Sequence, residues 1–206
     1  WSWRATKAQA GLGALGDLGC HLVSVMLGLM GPVESLIADS QIIHRHRPLP
    51  GGGEAPVENE DTASAVLRFA SGAQGVIGTS RSAWGRKSRL DWEVHGTAGM
   101  LCFQQERMNE LQLYRAEGPE ARQGFTTILT GPAHPPYGQF CPAPGHQIGF
   151  NDLKIIEAFE LIETIAGRSR AWPDFAQGVG IERIIHAIAE AAGQGGRHVF
   201  TPPAGG

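Results

Sequence analysis

The sequence predicts an α+β fold: an open, largely antiparallel β-sheet with helices on one face. Short segments of alternating apolar and polar residues follow one another from Thr62 to Tyr114. Tight glycine-containing turns separate them, and such turns join strands as hairpins rather than through crossover helices. Runs of helical period lie outside this block, one before it and two after it. At 206 residues the chain suits one generous domain or two small ones, and a single domain is expected, a size that buries roughly 70% of its unfolded surface.

The first helix is expected from Asp17 to Met30, with Gly31-Pro32 as its stop. Leu18, Leu22, Val25, Met26 and Leu29 recur at three- and four-residue steps and are expected to face the core. Asp17, His21, Ser24 and Gly28 then share another stripe. Val33 to His44 reads as a strand, and Gly51-Gly52-Gly53 opens a loop to about Glu58. Thr62 to Phe69 alternates, Ser71-Gly72 turns, and Gln74 to Ser82 alternates again. Leu90, Trp92 and Val94 point opposite to Asp91, Glu93 and His95. The Gly96-Thr97-Ala98-Gly99 turn leads to strands at Met100 to Phe103 and Leu111 to Tyr114. Arg115 to Phe150, rich in Gly and Pro, reads as a functional loop. Helices follow at Asp152 to Ala166 and Asp174 to Ala192, the second opened by Pro173 and closed by Gly193, and Val199-Phe200 adds a last strand.

Composition narrows the function classes. Hydrophobic residues at 42% and charged residues at 18% describe a soluble globular protein, too interrupted for a membrane span. With 20 acidic residues against 17 basic ones, no polyanion such as nucleic acid is expected as a partner. Cys20, Cys102 and Cys141 lie far apart with no Cys-x-x-Cys spacing, which fits a reduced cytoplasmic setting. The chain opens at Trp1 without a methionine or a signal core, so it is expected to be a fragment of a longer protein.

Gly11-Leu12-Gly13-Ala14-Leu15-Gly16 satisfies G-x-G-x-x-G, and Asp39 follows at about the spacing of a ribose-binding acid. That fingerprint binds a dinucleotide only when a buried strand delivers the chain into the glycine turn. The preceding Trp3 to Ala10 is polar and helix-prone, so these glycines are read as an approach to the helix, with no cofactor expected here. His44 and His46 sit two apart and share a strand face, but two ligands make no zinc site and none is expected.

Asp17 and His21, four residues apart on a helix, can reach the same substrate atom or each other. Oxidation of an alcohol needs a base for the hydroxyl proton, and a neutral imidazole suits that task. The same residues also fit an N-cap and a packed histidine. Arg81, Trp84, Arg86, Lys87 and Arg89 form a basic run that suits either a phosphate or plain solvent.

Ala10-Gly11-Leu12-Gly13-Ala14-Leu15-Gly16-Asp17-Leu18-Gly19-Cys20-His21 resembles the approach to the Asp-x-Gly-x-His helix of Gfo/Idh/MocA dehydrogenases. Trp3-Arg4, Glu93 to Gly99, Glu106 to Leu111, Gly124-Phe125 and Pro173-Asp174-Phe175 are similar, in order, to segments of that family's C-terminal domain. The resemblance covers essentially the whole chain. It implies a two-domain parent whose Rossmann domain binds NAD or NADP and supplies a lysine from a Glu-Lys-Pro segment. Lys7, Lys87 and Lys154 are the only lysines, and none lies in such a segment. The resemblance further implies a sugar, inositol or related polyol as substrate, His21 as acid/base, and Asp17 as the group that orients it and binds the reacting hydroxyl. Ser24, Arg81, Arg86, His134 and His146 are the expected substrate contacts. Ser24 stands where relatives often carry Asp, and Ser88 where a subgroup has Asn. Sheet-to-sheet dimers in the family imply a homodimer or tetramer, with Val66, Val76, Leu90 and Trp92 on the joining face. The fragment alone is expected to be inactive. The rival expectation is a non-catalytic sugar-binding or dimerisation module descended from such an enzyme.

Overall fold

The structure is a computed structural model and describes residues 1–170, 172–196 and, by backbone, 199–200. It is α+β, with antiparallel sheets and helices arranged in two compact units. One comprises Trp1–Trp84 with Trp172–Gly206, the other Gly85–Ala171.

In the first unit a short helix α1 (Lys7–Ala10) precedes a helical run whose first turn, Leu15–Gly19, is π-helical and whose remainder is α2 (Cys20–Met30). The π turn rotates the helix relative to the expected pattern. Leu15, Gly19 and Val23 are the buried stripe, with Met26, Leu27 and Met30 packed at the core's margin. Leu18 and Leu29, expected inside, are exposed. One extra residue per turn moves every later side chain around the axis, a phase change that the spacing does not reveal. Lys7–Met30 also has the length and apolarity of a membrane span, contrary to the expectation from composition. Its fully buried Leu15 and Val23, however, belong to the core of this unit.

The strands β1 (Val33–Gln41), β2 (His46–Pro48), β3 (Glu54–Pro56), β4 (Thr62–Phe69) and β5 (Gln74–Ser80) follow. β2 and β3 pair as a ribbon, and β3 lies within the segment expected to be loop. β1, β4 and β5 form an antiparallel sheet. A bulge between Val33 and Ser35 switches the phase of β1, so that Leu36 and Ala38 point inward beside Leu67 and Ala65. In the second unit β6 (Asp91–His95), β7 (Gly99–Gln104), β8 (Glu110–Arg115) and β9 (Phe125–Leu129) make a four-stranded antiparallel meander. β9 lies inside the segment expected to be loop; Phe125 and Thr126 pair with Tyr114 and Leu113.

Helix α3 (Phe150–Ile165) belongs to the second unit and has no fully buried residue, its Phe159 meeting Phe140 edge-on at 5.5 Å. Helix α4 (Phe175–Gly193) covers the first sheet together with α2. Ile181, Ile184, Ile185, Ala187, Ile188 and Ala191 form its buried stripe. Asp174 caps it by accepting from the Gln177 N–H, while Gln177 reaches back to the Asp174 N–H. β10 (Val199–Phe200) pairs with β1, completing the order β10-β1-β4-β5. The opposite face of this sheet carries a cross-strand row, Ile37 beside Val66 beside Val76, and all three are exposed.

Candidate active site

The helix run 15–30 sets the candidate side chains. Asp17 lies in the π turn, whose extra residue pushes it outward while Leu15 and Gly19 point in. Its Oδ2 stands 4.0 Å from Arg4 Nε and 3.9 Å from Arg81 Nη2. Arg4 in turn lies over the Trp3 ring at 4.7 Å. The carboxylate therefore sits between two guanidinium groups from distant parts of the chain. His21 follows one turn on and is exposed, and Ser24 comes next, half-buried. Among the described residues no hydrogen bond joins Asp17 to His21, the imidazole it was expected to orient; the half-exposed carboxylate lies at ion-pair distance from the two arginines instead. The stripe ends at Gly28, where the Trp172 ring approaches so closely that a Cβ would lie 2.4 Å from it.

Behind this stripe lies a feature the spacing did not announce. Glu58, Asn59, Glu60 and Asp61 each hold backbone groups of segments far away in sequence. Glu58 accepts from the Lys7 N–H at 2.8 Å. Asn59, fully buried, donates to the carbonyls of Arg4 and Thr6 at 2.9 and 3.2 Å. Glu60 Oε1 accepts from the N–H groups of Gly13 and Leu15 at 2.8 and 2.9 Å, and its carbonyl accepts from Ala14 N–H at 2.9 Å. Asp61 accepts from Ile43 and His44 N–H and meets Arg47 at 3.3 Å.

These bonds decide how the glycine run is used. An anion would enter at the N–H groups that open the helix, but the three consecutive ones at residues 13 to 15 are bonded to Glu60. A Cβ on Gly13 would stand 2.1 Å from the Glu60 carbonyl oxygen, so glycine is required there for close approach to the chain's own backbone. The run does not fit a dinucleotide phosphate.

The second unit carries the other expected contacts. Arg86 pairs with Glu106 at 3.4 Å and Arg89 with Asp91 at 2.6 Å, so these two guanidinium groups are matched by acids, and the Lys87 backbone N–H also donates to Glu106. Ser88 between them has φ of 66°, a conformation Asn adopts more readily than Ser. His134 is exposed and its Nδ1 accepts from the Gly131 N–H at 3.2 Å, which leaves Nε2 as the donor of the neutral ring. His146 is exposed and its carbonyl accepts from the buried Cys141 thiol at 2.6 Å. A shallow cavity of about 310 Å³ on this sheet is lined by Cys102, Gln104, Arg107, Glu110, Gln112 and Thr127. Burial pushes the Cys102 thiol up, and the nearby Glu93 carboxylate adds to it. Among the described residues no group of three or more metal-ligating side chains occurs.

Residues 1–102 match the profile of the GFO/IDH/MocA C-terminal domain. The chain belongs to the Gfo/Idh/MocA family. It is 38% identical to the levoglucosan dehydrogenase of Pseudarthrobacter phenanthrenivorans over 205 residues, covering 93% of this chain and 52% of that protein. Among solved structures, an NAD-binding oxidoreductase from Klebsiella pneumoniae is 39% identical with a TM-score of 0.92, covering 98% of this chain and 54% of the other. Levoglucosan dehydrogenase in complex with NADH and L-sorbose is 38% identical with a TM-score of 0.92 and the same coverage. The Gfo/Idh/MocA chain described here thus spans about half the length of the relatives it matches.

Proposed function

We propose that this chain is the substrate-binding half of an NAD(P)-dependent oxidoreductase acting on a sugar, inositol or related polyol. The observation that carries the reading is the helical stripe Asp17, His21 and Ser24, with Arg4 and Arg81 at ion-pair distance from the Asp17 carboxylate at its head. When bound, a nicotinamide cofactor supplies the hydride acceptor, and relatives of this chain are solved with NADH. This chain's residues handle the proton and the position of the substrate. His21 takes the proton of the reacting hydroxyl as general base. Asp17, an acceptor held between two cations, receives a hydrogen bond from that hydroxyl or its neighbour and so sets which carbinol carbon is presented. Ser24, a turn further on, offers a hydroxyl where a second sugar oxygen can lie. Arg86, His134 and His146 are substrate contacts in the same reading, and the cofactor's phosphates bind outside this chain. The free state of all three cysteines accords with a reducing, cytoplasmic setting. The exposed row Ile37, Val66 and Val76 supports a homodimer or tetramer built through that sheet face.

The 38% identity to levoglucosan dehydrogenase makes that anhydrosugar the first substrate to test. The gene product that contains this chain is assayed with levoglucosan, L-sorbose and a polyol panel, with NAD and NADP. Turnover is expected, and His21→Ala is expected to lower kcat by about 10²- to 10⁴-fold. Absence of turnover on every sugar and polyol, or an unaffected His21→Ala variant, overturns the reading and leaves a non-catalytic module. The isolated chain is expected to show no activity with the same reagents.

A further inference from the structure

We propose that Glu60 is a positioning residue for the Asp17 and His21 pair, acting as an internal anion that holds the opening of their helix. The inference rests on the active-site reading above but is drawn from different atoms. A helix begins with N–H groups that lack intrahelical acceptors, and these groups make its N-terminus positive. Local capping would normally satisfy them from the residue just before the helix, yet no side chain caps this run locally. Glu60, 45 to 47 residues away, takes that place: its carboxylate accepts two charge-assisted bonds and its own carbonyl accepts one. The bonded groups lead directly into the π turn, because the Asp17 N–H donates to the Gly13 carbonyl at 3.1 Å. Glu60 therefore sets the height and rotation of the turn that points Asp17 at Arg4 and Arg81 and sets His21 one turn further along. The neighbouring Asn59 fixes the other partner of this arrangement, since it holds the carbonyl of Arg4 itself.

Glu60→Gln keeps the shape and an oxygen for both N–H groups, which share Oε1, but removes the charge that strengthens the two bonds. Gly13→Ala attacks the same contact from the other side, because its Cβ would overlap the Glu60 carbonyl oxygen. In the gene product that contains this chain, each variant is expected to lower kcat by about 10²-fold, the scale of a displacement near 1 Å at a reacting centre. KM is expected to change by less than about threefold. The double variant is expected to lose little more than either single one, as two changes to one contact should. A purely structural role would instead reduce the amount of folded enzyme and leave kcat per folded molecule, and its pH profile, unaltered, and that result overturns the proposal. If neither variant accumulates as folded enzyme, Glu60→Asp with amide exchange decides: exchange at Gly13, Ala14 and Leu15 should accelerate selectively with a matching loss in kcat, and unchanged exchange refutes the clamp. An active His21→Ala enzyme would overturn the active-site reading separately, while the exchange measurement still tests Glu60.

Discussion

Asp61 ties folding to pH through one buried carboxylate. Burial pushes its pKa up, but the His44 and Ile43 N–H bonds and the Arg47 guanidinium together outweigh that and hold it below the ordinary range. A carboxyl whose folded pKa lies below its unfolded value contributes stability above about pH 4 and loses it as pH falls through the folded value. Asp61→Asn is therefore expected to cost about 1–3 kcal/mol at pH 7 and to flatten the acid limb of a plot of unfolding free energy against pH. Ser88 gives a prediction of opposite sign. It holds φ of 66° without being glycine, which costs an L-residue roughly 1–2 kcal/mol, so Ser88→Gly is expected to raise stability by about 1 kcal/mol in urea denaturation. That Asp17 and His21 lie on one helical run could be read at this scale, because their four-residue spacing is a local fact. The place of Glu60 could not, since its partners lie 45 and 47 positions away and a carboxylate beside Asn and Asp looks like an ordinary polar turn. The glycine run was read as an approach to the helix; what local spacing could not show is that folding supplies the anion that meets its N–H groups, the carboxylate of Glu60.

Among the elements, α4 supplies six residues to the buried core cluster. Ile188 is fully buried in the core cluster that α4 shares with the sheet. Ile188→Ala is expected to cost about 2–5 kcal/mol, read from the urea midpoint, with the spread set by how far the surroundings collapse. Asp174→Ala removes only the cap and should cost about 0.5–2 kcal/mol. α4 and the strands β4 and β5 followed from period and turn chemistry alone, because each buries one face against a single partner. The burial of α2 did not follow, since a π turn shifts the phase of every later residue and leaves no mark in hydrophobic spacing. β9 escaped as well: four of its five residues are exposed, so no alternation of burial demanded a strand there. Its backbone pairs with β8 all the same.

For the whole molecule, the row Ile37, Val66 and Val76 is the feature that distinguishes a free chain from an assembled one. If a second copy covers it, as proposed, Val76→Asp should convert the oligomer to monomer in light scattering, and the thermal midpoint of the unsubstituted protein should rise with concentration. A midpoint independent of concentration, with a monomeric mass throughout, counts against that assembly. The order in which the chain visits its two units has a consequence for synthesis on the ribosome. The first sheet is complete through β5 at Ser80, but α4, which supplies Ile181, Ile184, Ile185 and Ile188 to its core, follows only after Gly85–Ala171 has been made. At ordinary translation speeds that interval is roughly 5–20 s, during which β1, with Leu36 and Ala38, lacks the cover of α4. A nascent chain paused within β6 to α3 is the state in which a chaperone would find the most to bind.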